Sequence, residues 1–164
     1  MAANPEALAE HDPNVLVLTR RFDAPRKLVF EAWTTADHLA RWFCPAQFTV
    51  LDCAVDFRPG GGFEVSMRSP EGENYLWRNV YREIVVPLRL VYASSVLDGA
   101  GNPLFDAVTT LTFAEAGGWT ELTVHTGVEK LHSPEAAANA EAMEQGWHEG
   151  LDSLAAHLAD FQRG

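Results

Sequence analysis

The 164-residue chain is poor in basic residues: 12 Lys+Arg stand against 23 Asp+Glu, a formal net charge of −11. No basic run occurs anywhere in it. Nucleic-acid binding, which rests on Lys and Arg neutralising phosphates, is therefore disfavoured, and so is attachment to an anionic membrane. Apolar runs extend for only a few residues, far below the ~20 needed to cross a bilayer, so no membrane span is expected. Residues 1–14 lack both a basic start and an apolar stretch of signal-peptide type, and the expected location is the cytoplasm. Cysteine is scarce too: Cys44 and Cys53 form neither a CxxC motif nor a disulfide framework, which fits free thiols in a reducing compartment. The six histidines (11, 38, 125, 132, 148 and 157) show no HExxH or paired Cys/His spacing, so neither a metal nor a cofactor is expected.

What is present argues for a folded module. A hydrophobic fraction of 47% against 21% charged residues excludes a disordered chain. A domain of this length buries roughly 70% of its unfolded surface without a disulfide or metal staple. Residues 1–14, rich in Ala, Glu and Pro without periodicity, read as a disordered tail, leaving 15–161 as a single domain. Val15 to Phe22 reads as a strand ended by Asp23-Ala24-Pro25. Leu28, Val29, Ala32 and Trp33 then fall on one face of a short helix. A second short helix follows Thr35, with Leu39, Trp42 and Phe43 as its apolar members and Pro45 as its stop.

From Gln47 to Thr126 short β-type runs alternate with turn signals such as Arg58-Pro59-Gly60-Gly61-Gly62, Ser69-Pro70-Glu71-Gly72 and Asp98-Gly99-Ala100-Gly101-Asn102, the pattern of an antiparallel meander. Phe63, Val65 and Met67 share one parity, as do Leu122, Val124 and Thr126. The stretch from Tyr75 to Ile84 is ambiguous, and a bulge near Asn79 that exchanges faces would reconcile its two halves. The clearest helix opens at Ser133-Pro134-Glu135 and runs to about Asp160, with Met143, Trp147, Leu151, Leu154 and Leu158 as one apolar stripe. The opposite side carries Glu141, Glu144, Glu149 and Asp152, a solvated face or a docking surface for a basic partner. Gly146 and Gly150 inside this helix each cost about 1 kcal/mol relative to Ala, which implies either close approach of a strand or space left for something else.

Several segments carry a family likeness. Arg21-Phe22-Asp23-Ala24-Pro25, Val29-Phe30-Glu31-Ala32-Trp33, Leu39-Ala40-Arg41-Trp42-Phe43, Asp56-Phe57-Arg58-Pro59-Gly60-Gly61, Val80-Tyr81-Arg82-Glu83-Ile84, Leu90-Val91-Tyr92, Leu111-Thr112-Phe113, Thr120-Glu121-Leu122-Thr123 and Gly146-Trp147 with Leu151 and Leu154 together resemble the SRPBCC (START/Bet v 1-like) superfamily. The branch they resemble is that of the activator of heat-shock protein 90 ATPase. The resemblance implies an α+β helix-grip fold, a curved seven-stranded antiparallel sheet wrapped around the long C-terminal helix with two short helices after the first strand. It also implies a cavity between sheet and helix that takes small apolar or amphipathic molecules. Cys44 departs from the pattern, because relatives commonly have Gly before the following Pro, and Cys is bulkier and less flexible.

The aromatic complement is large for one small core. Ordinary core packing is one account of it. The other, which the resemblance supplies, is that part of the set lines the cavity; Trp33, Trp42, Phe43, Phe63, Met67, Tyr75, Trp77, Tyr92, Met143 and Trp147 are the ligand-binding residues expected on that account. The sequence pattern leaves open which way Tyr75, Trp77 and Tyr92 face. The glycines at 60–62 lead into a strand rather than a helix and suit a tight turn better than a phosphate cradle. No nucleophile elbow or marked Cys–base pair is present, and no catalytic residue is assigned. Cys44 is either a small buried hydrophobe or a reactive thiol at the cavity mouth. The leading expectation is non-catalytic binding of a small hydrophobic molecule by a monomer or homodimer. The alternatives are a module acting with a heat-shock protein 90-type chaperone, and a cyclase- or hydrolase-like enzyme.

Overall fold

The structure, a computed structural model, describes residues 15–44 and 47–163. The expected tail at 1–14 and the helix stop at Pro45 lie outside the described residues. The elements run β1 (Val15–Phe22), α1 (Arg26–Thr34), α2 (Ala36–Trp42), β2 (Thr49–Asp56), β3 (Gly62–Arg68), β4 (Asn74–Val85), β5 (Arg89–Asp98), β6 (Pro103–Ala116), β7 (Trp119–Leu131) and α3 (Ala136–Arg163). The strands form one seven-stranded sheet in the order β1-β7-β6-β5-β4-β3-β2, every neighbouring pair antiparallel. β2 through β7 are thus a continuous meander, and β1 adds beside β7 to complete the sheet.

Period-2 alternation decides which face of the sheet meets the helices. Phe63, Val65 and Met67 of β3 are buried with Leu90, Tyr92 and Val96 of β5, Phe105, Leu111 and Phe113 of β6, and Leu122 and Val124 of β7. The ambiguous strand β4 sends Tyr75, Trp77, Asn79 and Tyr81 inward, and its register shift falls between Tyr81 and Glu83. The bulge therefore sits at Arg82, three residues beyond Asn79, and it turns Ile84 inward after Tyr81. Asn79 tolerates the interior because its amide is satisfied there: Nδ2 donates to Phe63 O at 3.1 Å and Oδ1 accepts from Ser94 Oγ at 2.6 Å. Gly62 is required where β3 leaves its turn, since a Cβ there would lie 1.8 Å from Asn79 O.

α1 buries Val29, Phe30, Ala32 and Trp33, and α2 buries Leu39 and Trp42. Trp42 Nε1 donates to Ala32 O at 2.8 Å, which fixes the second helix against the end of the first. Phe43, expected inside α2, is instead its C-terminal cap residue. α3 has 28 residues and so spans about 42 Å across the sheet. It begins at Ala136 rather than at Ser133, because Ala136 and Ala137 donate to Ser133 O and Pro134 O in a tighter preceding turn. Its Leu151, Leu154 and Leu158 are buried in the main core, which also holds α1 and α2. A smaller core of Val96, Phe105, Ala107 and Met143 lies under the other half of the helix, and Trp77 and Trp147 touch both.

The C-terminal half of α3 is held by polar contacts as well. Asp152 pairs with Arg20 of β1, and Gln162 Nε2 donates to Asp23 O at 3.0 Å. His157 Nε2 lies 2.7 Å from His38 Nδ1 of α2, with Phe161 stacked at a tilt beside both rings. The His157 pKa is lowered by burial, then by the His38 and Arg41 charges, with Asp160 opposing. Lowered in the folded state means that the unfolded chain binds more protons near pH 6. Stability from this group is present above the unfolded pKa of about 6.5 and is lost as pH falls through the lower folded value. The urea midpoint is expected to drop between pH 7.5 and pH 5.5, and to drop less in His157→Gln; an identical slope in the variant contradicts the assignment.

Candidate functional site

Between the two core clusters the sheet and α3 separate, leaving a cavity of about 270 Å³. Its sheet wall is built from inward positions: Met67 on β3, Tyr75 and Trp77 on β4, Val96 on β5 and Phe105 on β6. Val96 and Phe105 are register partners, so their side chains stand next to each other on the same face. Trp77 meets Phe43 at an interplanar angle of 84° and Phe105 at 86°, so the rings stand as walls that join at corners. Asn139, Ala142, Met143, Gly146, Trp147 and Gly150 form the helix wall. Trp42, Phe43, Cys44 and Phe48 close the side next to α2, and Ser69 and Glu71 stand at the rim.

The space has a cause in α3. Gly150 is buried, yet a Cβ built on it finds no atom within 4 Å. With Gly146 also on the lining, the apolar stripe loses side chains one turn apart over the cavity. Of the two explanations for these costly helix glycines, the structure supplies the second at Gly150: space, not close approach of a strand. Beyond it the stripe resumes with Leu151 and the helix packs down fully.

Of the residues expected to bind ligand, Trp42, Phe43, Met67, Tyr75, Trp77, Met143 and Trp147 are brought together on this wall. Trp33, Phe63 and Tyr92 are not. Trp33 is fully buried behind it, stacked on Trp147 at 5.9 Å and edge-on to Trp42 at 4.5 Å. Phe63 touches Phe43 at 5.6 Å and Tyr92 at 5.1 Å, and both Phe63 and Tyr92 sit in the main core. Tyr75, Trp77 and Tyr92 all face inward, but Tyr92 lies further along the sheet. Phe48, Val96, Phe105, Ser69, Asn139 and Ala142 join the wall beyond the residues expected there. Phe105 and Val96 show the right parity, whereas Asn139 and Ala142 carry no signal that separates them from a helix surface.

Among the described residues, three titratable side chains line the cavity: Cys44, Glu71 and Tyr75. Burial raises the Cys44 thiol pKa, and its Sγ lies 3.5 Å from Phe48 O, so the group is a protonated donor rather than a thiolate. The Tyr75 phenol is raised by burial first and by the Glu73 charge next, while the Asn139 side chain on α3 opposes this. Ser69 Oγ accepts from Glu73 N at 3.0 Å, which closes the β3–β4 turn that carries Glu71 to the cavity lining. A second depression of about 380 Å³ adjoins the first, sharing Tyr75 and Asn139 and adding Glu73 and Asp98. Deeper in, the buried Tyr81 and Tyr92 hydroxyls have no hydrogen-bond partner among the described residues, and burial raises both phenols. Among the described residues no group of three or more His, Cys, Asp or Glu is arranged to hold a metal ion. Nor is any helix among them long and apolar enough to cross a membrane.

This helix-grip architecture with an internal cavity agrees with the family model for "Activator of Hsp90 ATPase homolog 1-like protein", which matches residues 23–159. The chain belongs to that family. No curated protein matches it in sequence. Solved structures of similar fold include a protein of Nitrosomonas europaea, 24% identical, covering 93% of this chain and 98% of its own with a TM-score of 0.73. An Arthrobacter aurescens protein, 23% identical, covers 90% of this chain and 87% of its own at a TM-score of 0.77. The AHSA1 protein of Silicibacter pomeroyi, 21% identical, covers 88% and 97% at 0.72. At these identities the likeness is one of fold, and within the family the cavity residues of this chain have to speak for themselves.

The open space at Gly150 has a direct consequence for stability. Gly150→Ala removes the entropic cost of glycine without a clash, so it is expected to stabilise by about 1 kcal/mol and raise the melting temperature by about 2–4 °C. Calorimetry of the two proteins checks this. A lower melting temperature means that the space is not free.

Proposed function

We propose that this protein binds a small apolar or amphipathic molecule in the cavity between the sheet and α3, without chemistry of its own. The observation that carries the reading is the pairing of aromatic walls on the sheet with a helix that omits side chains opposite them. A core built only for stability gains from filling such a space, since voids cost dispersion contacts and glycine costs helix propensity. Keeping both costs in one place is what a binding cavity requires. The volume of about 270 Å³ lies just below the usual range of ligand sites, about 300 to 1,000 Å³, and suits a small molecule of roughly eight to ten heavy atoms. Binding rather than turnover is favoured because burial keeps the thiol and the phenol on the wall protonated.

Burying an eight-carbon chain yields about 6 kcal/mol before ordering costs, so a dissociation constant on the order of 0.1 mM is expected for octanol. Trp42, Trp77 and Trp147 lie on the wall, and their fluorescence reports occupancy. A saturable change on titration with octanol is expected in the natural protein. In Gly150→Phe, where the new ring occupies the space, it is expected to be lost. Saturation that persists unchanged in that variant places the ligand elsewhere.

The family description supports a second reading, association with a heat-shock protein 90-type chaperone. It predicts that saturating protein raises the ATPase rate of such a chaperone at least about twofold; an unchanged rate removes it.

A further inference from the structure

We infer that the cavity selects for a cationic amphiphile: an amine or quaternary ammonium head held at the mouth beside Tyr75, with its apolar body inside. This rests on the binding reading above and assigns the class of ligand. Among the described residues, those lining the cavity and the adjoining depression include the carboxylates Glu71, Glu73 and Asp98, and no Lys, Arg or His. An anionic head such as a fatty-acid carboxylate would meet like charges at the opening with no basic partner, an arrangement that disfavours it directly. Opposing this, the N-terminal end of α3 brings a partial positive charge of about half a unit near Asn139. That is outweighed by the acidic side chains, even allowing for Asp98, which already accepts from Ala100 N and Asn102 N of its own turn.

The aromatic lining is the independent half of the argument. Ring faces attract cations through their quadrupole, and the attraction grows from about 0.5 to 2 kcal/mol as the site is desolvated. Tyr75 combines both features, because it lines both the cavity and the adjoining depression, and the Glu73 carboxylate lines that depression with it. The negative potential at this point is visible in the Tyr75 phenol, which the Glu73 and Glu71 charges both push up. An alkylammonium head at the same place would gain a favourable contact with the carboxylates and with the ring face. A neutral amphiphile lacks this gain, and an anion reverses it.

The test is a matched titration of the full chain with octyltrimethylammonium, octanol and octanoate, read by tryptophan fluorescence at 0.15 M salt. The ammonium is expected to bind about tenfold tighter than octanoate, with octanol between. Because the whole protein is acidic, two variants of equal charge separate the site from the background. E71Q/E73Q is expected to shrink the ratio to about twofold, whereas E141Q/E144Q, on the side of α3 turned away from the cavity, is expected to leave it unchanged. Octanoate binding as well as the ammonium while octanol still saturates overturns the charge selection and leaves the cavity reading standing. So does a ratio that both variants change equally. If none of the three probes saturates, the cavity reading falls, and this inference falls with it.

Discussion

The structure depends on one constraint: a single long helix has to cover the concave face of a curved sheet with one apolar stripe. Leu151, Leu154 and Leu158 meet that requirement at the C-terminal half, where α1 and α2 thicken the core and Trp33 stacks beneath Trp147. Contacts from Arg20, Asp23 and His38 then hold this half of the helix against β1 and α2. Toward the N-terminal half the helix lies instead over the smaller core of Val96, Phe105 and Ala107. There the stripe meets the sheet through Met143 and Trp147 while omitting side chains at Gly146 and Gly150. Cavity and core are thus two outcomes of the same packing problem, solved tightly at one end and loosely at the other.

The chemistry of the cavity follows from where it lies on the strands. Inward positions near the middle of a strand are apolar because both neighbours and the facing helix exclude water. Positions at hairpin ends are reached by turn residues, which are polar for conformational reasons. The Ser69–Gly72 turn and the Asp98–Asn102 turn both end beside the opening, and their side chains bring its carboxylates. An apolar interior with a charged rim is therefore built into a meander whose hairpins end at the mouth. Which charge the rim carries is a choice of this chain, and here it is negative.

Much of the fold was legible in the residues. The alternation in Phe63-Val65-Met67 and the steps of the α3 stripe are local patterns, and each predicted the face that the structure buries. Where the reading slipped, a non-local partner was responsible. Asn79 looked like a reason to exchange faces, but Phe63 O and Ser94 Oγ, from the two neighbouring strands, satisfy its amide inside the sheet, and the bulge moves on to Arg82. Phe43 counted as helical by its apolar character, yet the chain turns there to put its ring between Trp33 and Trp77.

By itself the sequence determined the elements, their order and the inward face of nearly every strand, because a period of 2 or 3.6 residues is written in neighbouring side chains. It also marked Gly146 and Gly150 as anomalous. Tertiary structure alone decided which inward aromatics are core and which are wall. Trp33, Phe63 and Tyr92 share with Trp42, Trp77 and Trp147 both residue type and inward facing; what separates them is position along the helix that covers them. Periodicity specifies a direction perpendicular to the sheet and says nothing about the distance to the opposite layer. That distance is set only when the helix docks.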